Sequence, residues 1–195
     1  MDEDLEFVTL CQRGDVDAFR PLVEKHQKRM VNIAYRMIGD YEAACEVVQD
    51  AFLHAYQAIR KFRGEAKFST WLCRIVINLS KNRIKQMKTR CEREGVPLDA
   101  PIETEEGQMF HDPPAQDPSA LEQMEKKEIQ TTVQVCISAL DDDYREVLVL
   151  RDIQGLSYDE IGDILKVPGG TVKSRLFRAR EALKEGLKKA FGERL

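Results

Sequence analysis

From Ala18 to Gly39 the apolar positions are Phe19, Leu22, Val23, Met30, Ile33, Ala34 and Met37, with His26 on the same stripe. Intervals of three and four predict an amphipathic helix, and Gly39-Asp40 predicts its end. Tyr41, Ala44, Cys45, Val48, Ala51, Phe52, Ala55 and Ile59 predict a second helix, closing near Phe62-Arg63-Gly64. Ser69 can cap a third, running to about Lys88, with Leu72, Ile75, Val76 and Leu79 inward. A short helix from Glu3 to Arg13 is expected before these. Helices joined by short connections make a small bundle.

The periodicity breaks from Glu94 to Pro118, which holds five of the chain's seven prolines. Proline disfavours helix at itself and at the residue before it. The stretch reads as a flexible linker. Beyond it, Ser119 to Glu122 resembles a capping box, and Leu121, Met124, Ile129, Val133, Ile137 and Leu140 roughly form one stripe. Asp141 to Asp143 can cap the next helix, with Tyr144, Val147, Leu148 and Ile153 inward and Gly155 at its end. No segment alternates at period two, so the expected fold is all-α: two small helical domains, 1–93 and 119–195, joined by an acidic linker, 94–118.

The C-terminal part carries a more specific pattern. Ser157-Tyr-Asp-Glu160 is a capping box, and Ile161, Ile164 and Leu165 give the helix it opens an apolar face. Lys166 to Gly170 must turn, with Pro168 stopping the helix and the glycines allowing positive φ. Thr171 then caps a long helix with Val172, Leu176, Ala179, Leu183 and Leu187 inward. A short helix, a tight turn and a second helix form a helix-turn-helix, whose second helix enters the major groove. Lys173, Ser174, Arg175, Phe177 and Arg178 face outward near its start. Cations can contact guanine or phosphate, serine can donate to either, and phenylalanine can touch a thymine methyl. A helical hairpin with a solvated basic face is the plainer alternative.

Charge changes the picture through its distribution. The whole chain carries −4, yet residues 60–93 hold 11 cations against 2 acids, and residues 94–123 hold 8 acids and no Lys or Arg. Trp71, Arg74, Asn78, Lys81, Asn82 and Lys85 recur at helical spacing opposite the third helix's apolar stripe. Before them lies Phe62-Arg63-Gly-Glu-Ala-Lys67-Phe68. Cations and aromatic rings beside a basic helix suit an unstacked single strand; Phe62, Phe68 and Trp71 can equally be packing residues. The five cysteines lie more than three positions apart, so no zinc or redox pair is expected, and buried packing is the reading for them. The three histidines are isolated. No Walker loop, metal-ligand cluster or catalytic triad is present in the sequence, so neither enzyme activity nor a cofactor is expected. No long apolar run or signal peptide is seen, and the expectation is a cytoplasmic protein, a monomer by default and not inserted in a membrane.

Val47-Val-Gln-Asp-Ala-Phe52, Phe62-Arg-Gly64, Phe68-Ser-Thr-Trp-Leu72 and Ile75-Val-Ile-Asn78 resemble region two of the extracytoplasmic-function sigma factors, within the sigma-70 family. Leu148 to Ile161 and Gly170 to Arg180 resemble region four. The resemblance implies a transcription-initiation factor that binds core RNA polymerase through Glu46, Gln49 and Asp50. It implies that Phe62, Arg63, Lys67, Phe68, Trp71, Arg74, Asn78, Lys81 and Asn82 read and open the minus-ten element as single-stranded DNA. Thr171, Lys173, Ser174, Arg175, Phe177 and Arg178 inherit duplex minus-thirty-five recognition, and an anti-sigma factor is an implied partner. The sequence departs from the family at Cys45, where an acidic residue is common, and at Ala43 and Ala44. A helix-turn-helix regulator working without polymerase leaves the N-terminal basic helix unexplained. A nuclease would need carboxylates clustered around a metal.

Overall fold

The computed structural model describes residues 4–94 and 120–192. Glu94, the first residue of the expected linker, belongs to the helix before it; the rest of that linker and the Ser119 capping box, with the side chains of Leu121 and Glu122, lie outside the described residues. Eight α-helices and no strand occur among those described.

The N-terminal lobe comprises α1 (Leu5–Gln12), α2 (Phe19–Ile38), α3 (Tyr41–Ala58), a 3-10 turn (Ile59–Lys61) and α4 (Phe68–Glu94). Helices α2, α3 and α4 pack mutually around Leu22, Met30, Ile33, Ala51, Leu72 and Val76, all essentially water-free. Gly39 ends α2 at φ 87°, a left-handed C-cap that glycine adopts without Cβ strain. Asp40 then caps α3 by accepting from the Ala43 amide at 2.6 Å. Asp4 is 2% exposed and holds α1 to α2: its carboxylate meets His26 Nε2 at 2.7 Å and Lys25 Nζ at 2.9 Å.

The C-terminal lobe comprises α5 (Ala120–Ser138), α6 (Asp142–Leu148), a π-helical stretch (Val149–Ile153), α7 (Tyr158–Leu165) and α8 (Gly169–Phe191). Its core is Ile137, Val147, Leu150, Ile161, Val172, Leu176 and Ala179. Two expected stripes are corrected here. Met124 and Ile129 are exposed, because residues 123–129 run along solvent, and Gln134 is buried in the half of α5 that packs. Ile153 is also partly exposed. The π-helical stretch inserts an extra residue per turn, so Val149 and Leu150 take the inward places.

The lobes pack against each other. Gln134 lies against the end of α2, accepting from Arg36 at 2.9 Å and donating toward the Arg36 carbonyl at 3.3 Å. Gln154 bridges Arg29 and Asn32 of α2. Arg145, 4% exposed, donates to the carbonyls of Ile137, Ser138 and Leu140 in its own lobe and to Met37 across the boundary.

Candidate nucleic-acid interface

Two surfaces hold the residues predicted to meet DNA, and a third holds those predicted to meet polymerase. The helix-turn-helix is built as expected at its first helix: the Ser157 hydroxyl accepts from the Glu160 amide, and the Glu160 carboxylate takes the Ser157 amide at 2.9 Å. Hydrogen bonds from the Ser157 backbone and hydroxyl hold the Glu160 carboxyl below the usual range despite partial burial. The turn is made differently from the expectation. Lys166 takes the left-handed conformation at φ 55°, while Gly169 and Gly170 belong to the first turn of α8. Proline can precede a helix because the first amides need no intrahelical partner. The Pro168 carbonyl accepts from the Thr171 and Val172 amides, so Thr171 sits inside the helix and is not its cap.

At the start of α8, Lys173, Ser174, Phe177 and Arg178 are exposed on one side, and Thr171 is half-buried. Phe177 is 68% exposed. Lys173 Nζ stands 5.6 Å from the centre of the Tyr158 ring, a cation–π contact that steers it. Arg175 is placed otherwise than expected. Its guanidinium turns back to Asp143 at 2.6 Å, so in this arrangement it braces α8 against α6. Arg180 makes a two-pronged pair with Asp152.

The second surface follows α4. Asn78, Lys81 and Asn82 are exposed, Trp71 and Arg74 half-exposed. Phe62, Phe68 and Trp71 form one aromatic cluster with ring centres 5.0–6.2 Å apart. Phe68 is fully buried, against His26 as well, so it anchors the loop from beneath instead of presenting a face. Phe62 and Trp71 form the partly accessible rim, and Arg63 and Lys67 are exposed beside them.

The predicted polymerase-binding residues Glu46, Gln49 and Asp50 share the outward face of α3. Glu46 pairs with Arg83 at 2.6 Å, which ties that face to α4. Leu53, 54% exposed, continues the same edge one turn on and was not singled out by periodicity, which reads an apolar residue as inward. Arg145 and Gln134 were missed as well. A signal for Arg145 existed, since it lies three residues before buried Leu148 on the same stripe. Among the described residues no group of His, Cys, Asp or Glu is arranged to hold a metal.

The sigma-70 region 2 profile matches residues 22–90, and the sigma-70 region 4 profile matches residues 130–183. The chain belongs to the sigma-70 family, in its extracytoplasmic-function class. It is 39% identical to the RNA polymerase sigma-H factor of Pseudomonas aeruginosa, over 95% of this chain and 94% of that one. It is 39% identical to the extracytoplasmic-function sigma factor SigW of Bacillus subtilis, over 91% and 92%. It is 36% identical to the sigma-E factor of Escherichia coli K12, over 92% of each. The fold is shared with the solved structure of CnrH bound to the cytosolic domain of CnrY, at TM-score 0.67 and 24% identity, over 96% and 99% of the two chains. It is also shared with the sigma factor RpoE of Bartonella quintana in complex with the anti-sigma factor NepR, at TM-score 0.64 and 23% identity, over 89% and 98%. This sigma factor therefore serves transcription initiation by RNA polymerase and is not an enzyme.

Proposed function

We propose that the two lobes of this sigma factor grip one promoter at two points. The exposed start of α8 reads duplex minus-thirty-five DNA through Lys173, Ser174, Phe177 and Arg178, with Thr171 at its edge and Arg175 once it leaves Asp143. The α4 face, with Trp71, Arg74, Asn78, Lys81 and Asn82, and the Phe62–Phe68 loop with Arg63 and Lys67, hold the parted minus-ten strand. Phe68 supports that loop from the core. The outward face of α3, with Glu46, Gln49 and Asp50, docks on core RNA polymerase, and Leu53 extends that contact.

One observation carries this reading. Phe177 stands in water between Lys173 and Arg178 on the first turns of the helix that follows the turn. An apolar ring flanked by cations there suits a thymine methyl between phosphates. Strand opening needs no nucleotide hydrolysis, because preferential binding to the parted strands shifts the equilibrium.

The linker, residues 94–118, sets the reach between the two contacts, so each raises the local concentration of the other. The work is placed in the cytoplasm, where RNA polymerase and DNA are; no helix among the described residues is long and apolar enough to cross a membrane. The RpoE neighbour is bound to an anti-sigma factor, which supports a partner of that kind here.

The test is run-off transcription by purified core polymerase, with and without the chain, on a panel of promoters. Promoter-specific starts that depend on the chain are expected. Lys173→Ala and Phe177→Ala should each weaken minus-thirty-five binding by about 1–3 kcal/mol without unfolding the lobe. Absence of any stimulated start, or unchanged promoter affinity in both variants, overturns the proposal.

A further inference from the structure

Helix α1 carries none of the residues assigned above to DNA or polymerase, yet it reaches both ends of the loop from Phe62 to Phe68. Gln12 is the last residue of α1. Its Nε2 donates to the Ile59 carbonyl at 3.0 Å and to the Phe62 carbonyl at 2.8 Å, 47 and 50 positions along the chain. Both acceptors are carbonyl oxygens, so the partners orient the amide and both of its protons are spent. The Ile59 carbonyl also takes the Phe62 amide at 3.1 Å. Gln12 therefore closes the end of the 3-10 turn and holds the first residue of the loop by its backbone.

The far end of the loop is held less directly. Asp4, the residue that precedes α1, is 2% exposed, and its Oδ2 meets His26 Nε2 at 2.7 Å. The His26 ring packs against Phe68, with ring centres 5.7 Å apart. Phe68 in turn packs on Phe62 and Trp71, so the two ends of the loop share one aromatic cluster. Val8 and Cys11 are buried and seat α1 on this lobe. Between the two anchors Arg63, Gly64, Glu65 and Lys67 are exposed and belong to no helix.

We propose that Gln12 is a positioning residue for capture of the minus-ten strand, with Asp4 acting on the far end of the same loop through His26. This rests on the minus-ten reading of the Phe62–Phe68 loop. A loop that is ordered only when the strand arrives loses affinity to the ordering. Fixing both ends beforehand removes part of that cost and keeps Arg63, Lys67 and the Phe62 ring in one arrangement. A side chain serving α1 alone would bond within α1 or to α2; Gln12 spends both protons on the loop side instead.

The test uses holoenzyme assembled from the full chain and purified core polymerase. It is titrated with a fluorescent single-stranded minus-ten oligonucleotide from a promoter active in run-off transcription. Affinities for core polymerase and for duplex minus-thirty-five DNA are measured beside it. Gln12→Met keeps the length of the side chain and removes both donors, so affinity for the oligonucleotide should fall about tenfold. The other two affinities should stay within about twofold. Gln12→Glu has the same shape with acceptors in place of donors and should lose at least as much, which covers the case in which Gln12→Met fails to fold. Gln12→Lys, which can donate to both carbonyls, should recover most of the loss. Equal losses in all three affinities, or no recovery by lysine, overturn the positioning role, because a purely structural residue behaves that way. Arg63→Ala in the loop itself separates the two readings. If it weakens oligonucleotide binding and the folded Gln12 variants do not, the positioning role fails alone; if it changes nothing, the minus-ten reading of the loop fails and the proposal with it.

Discussion

Replacing Arg145 with alanine should be among the most damaging single substitutions outside the apolar core. Its guanidinium donates to four carbonyls: Ile137 at 3.2 Å, Ser138 at 2.5 Å, Leu140 at 2.8 Å and Met37 at 3.0 Å. Ile137 and Ser138 are the last residues of α5, where last-turn carbonyls lack intrahelical partners, and Leu140 lies just past its end. Desolvation lowers the Arg145 pKa, with nearby Asp142 and Glu146 acting against that. Hydrogen bonds from a charged donor contribute about 1.5–3 kcal/mol each. Water entering the vacated space would satisfy some of the carbonyls, and removing a buried charge recovers some desolvation. The expected net loss is about 3–5 kcal/mol, comparable to breaking a buried charged network. Roughly 1.5–3 kcal/mol of it, the Met37 bond, acts between the lobes. Hydrogen exchange of α6 to α8 measures the C-terminal lobe, and fluorescence of Trp71, the chain's one tryptophan, follows the N-terminal lobe during urea unfolding. Arg145→Lys should recover less than half the loss, since a point charge cannot span four acceptors. A loss below about 1 kcal/mol in Arg145→Ala, or full recovery by lysine, would refute the reasoning.

Three further outcomes are expected. Gly39→Ala places a Cβ at φ 87° and 3.0 Å from Ser138 Oγ, so it should destabilise by about 1–2 kcal/mol; Ser138→Ala in the same chain should return only the part due to the contact, as urea unfolding would show. Burial raises the Asp4 carboxyl pKa, but hydrogen bonds from Lys25 and His26 outweigh it and leave the folded value below 3.8. Its contribution is therefore present above pH 3.8 and lost as pH falls through the lower folded value, so exchange protection of α1 should drop there in the native chain and be weaker at neutral pH in Asp4→Asn. Burial pushes the Cys73 thiol from 9.0 up to about 11, so at pH 8 it should alkylate about a hundredfold more slowly than in the unfolded chain, read by mass spectrometry of the labelled peptide.

The helices themselves were legible because their information is local. Period and caps are set within a few residues, so α2, α3 and α7 lie within a few residues of the pattern's bounds, and the Ser157–Glu160 box forms as spaced; α4 starts where expected but runs to Glu94, six residues past the expected end at Lys88. The cap of α8 was misplaced by three residues, Thr171 for Pro168, because Pro168 can lead a helix with its carbonyl alone. The inward side of α6 failed past Leu148, because one π-helical insertion rotates every later side chain. Sequence motifs also sufficed to mark the family.

What they could not supply was the pairing of one surface with the other. The cations Lys67, Lys81 and Lys88 were visible as charge, but their partners Glu160, Glu146 and Asp142 lie more than 50 positions away in the chain. Nothing local distinguishes an acid that faces solvent from one that faces a lysine of another lobe. The same holds for Phe68, whose aromatic character fits a strand-binding loop or a core equally well, and for Arg175, which points outward by period and backward by charge. Burial and long-range pairing depend on which helices meet, and only the packed tertiary structure decides that.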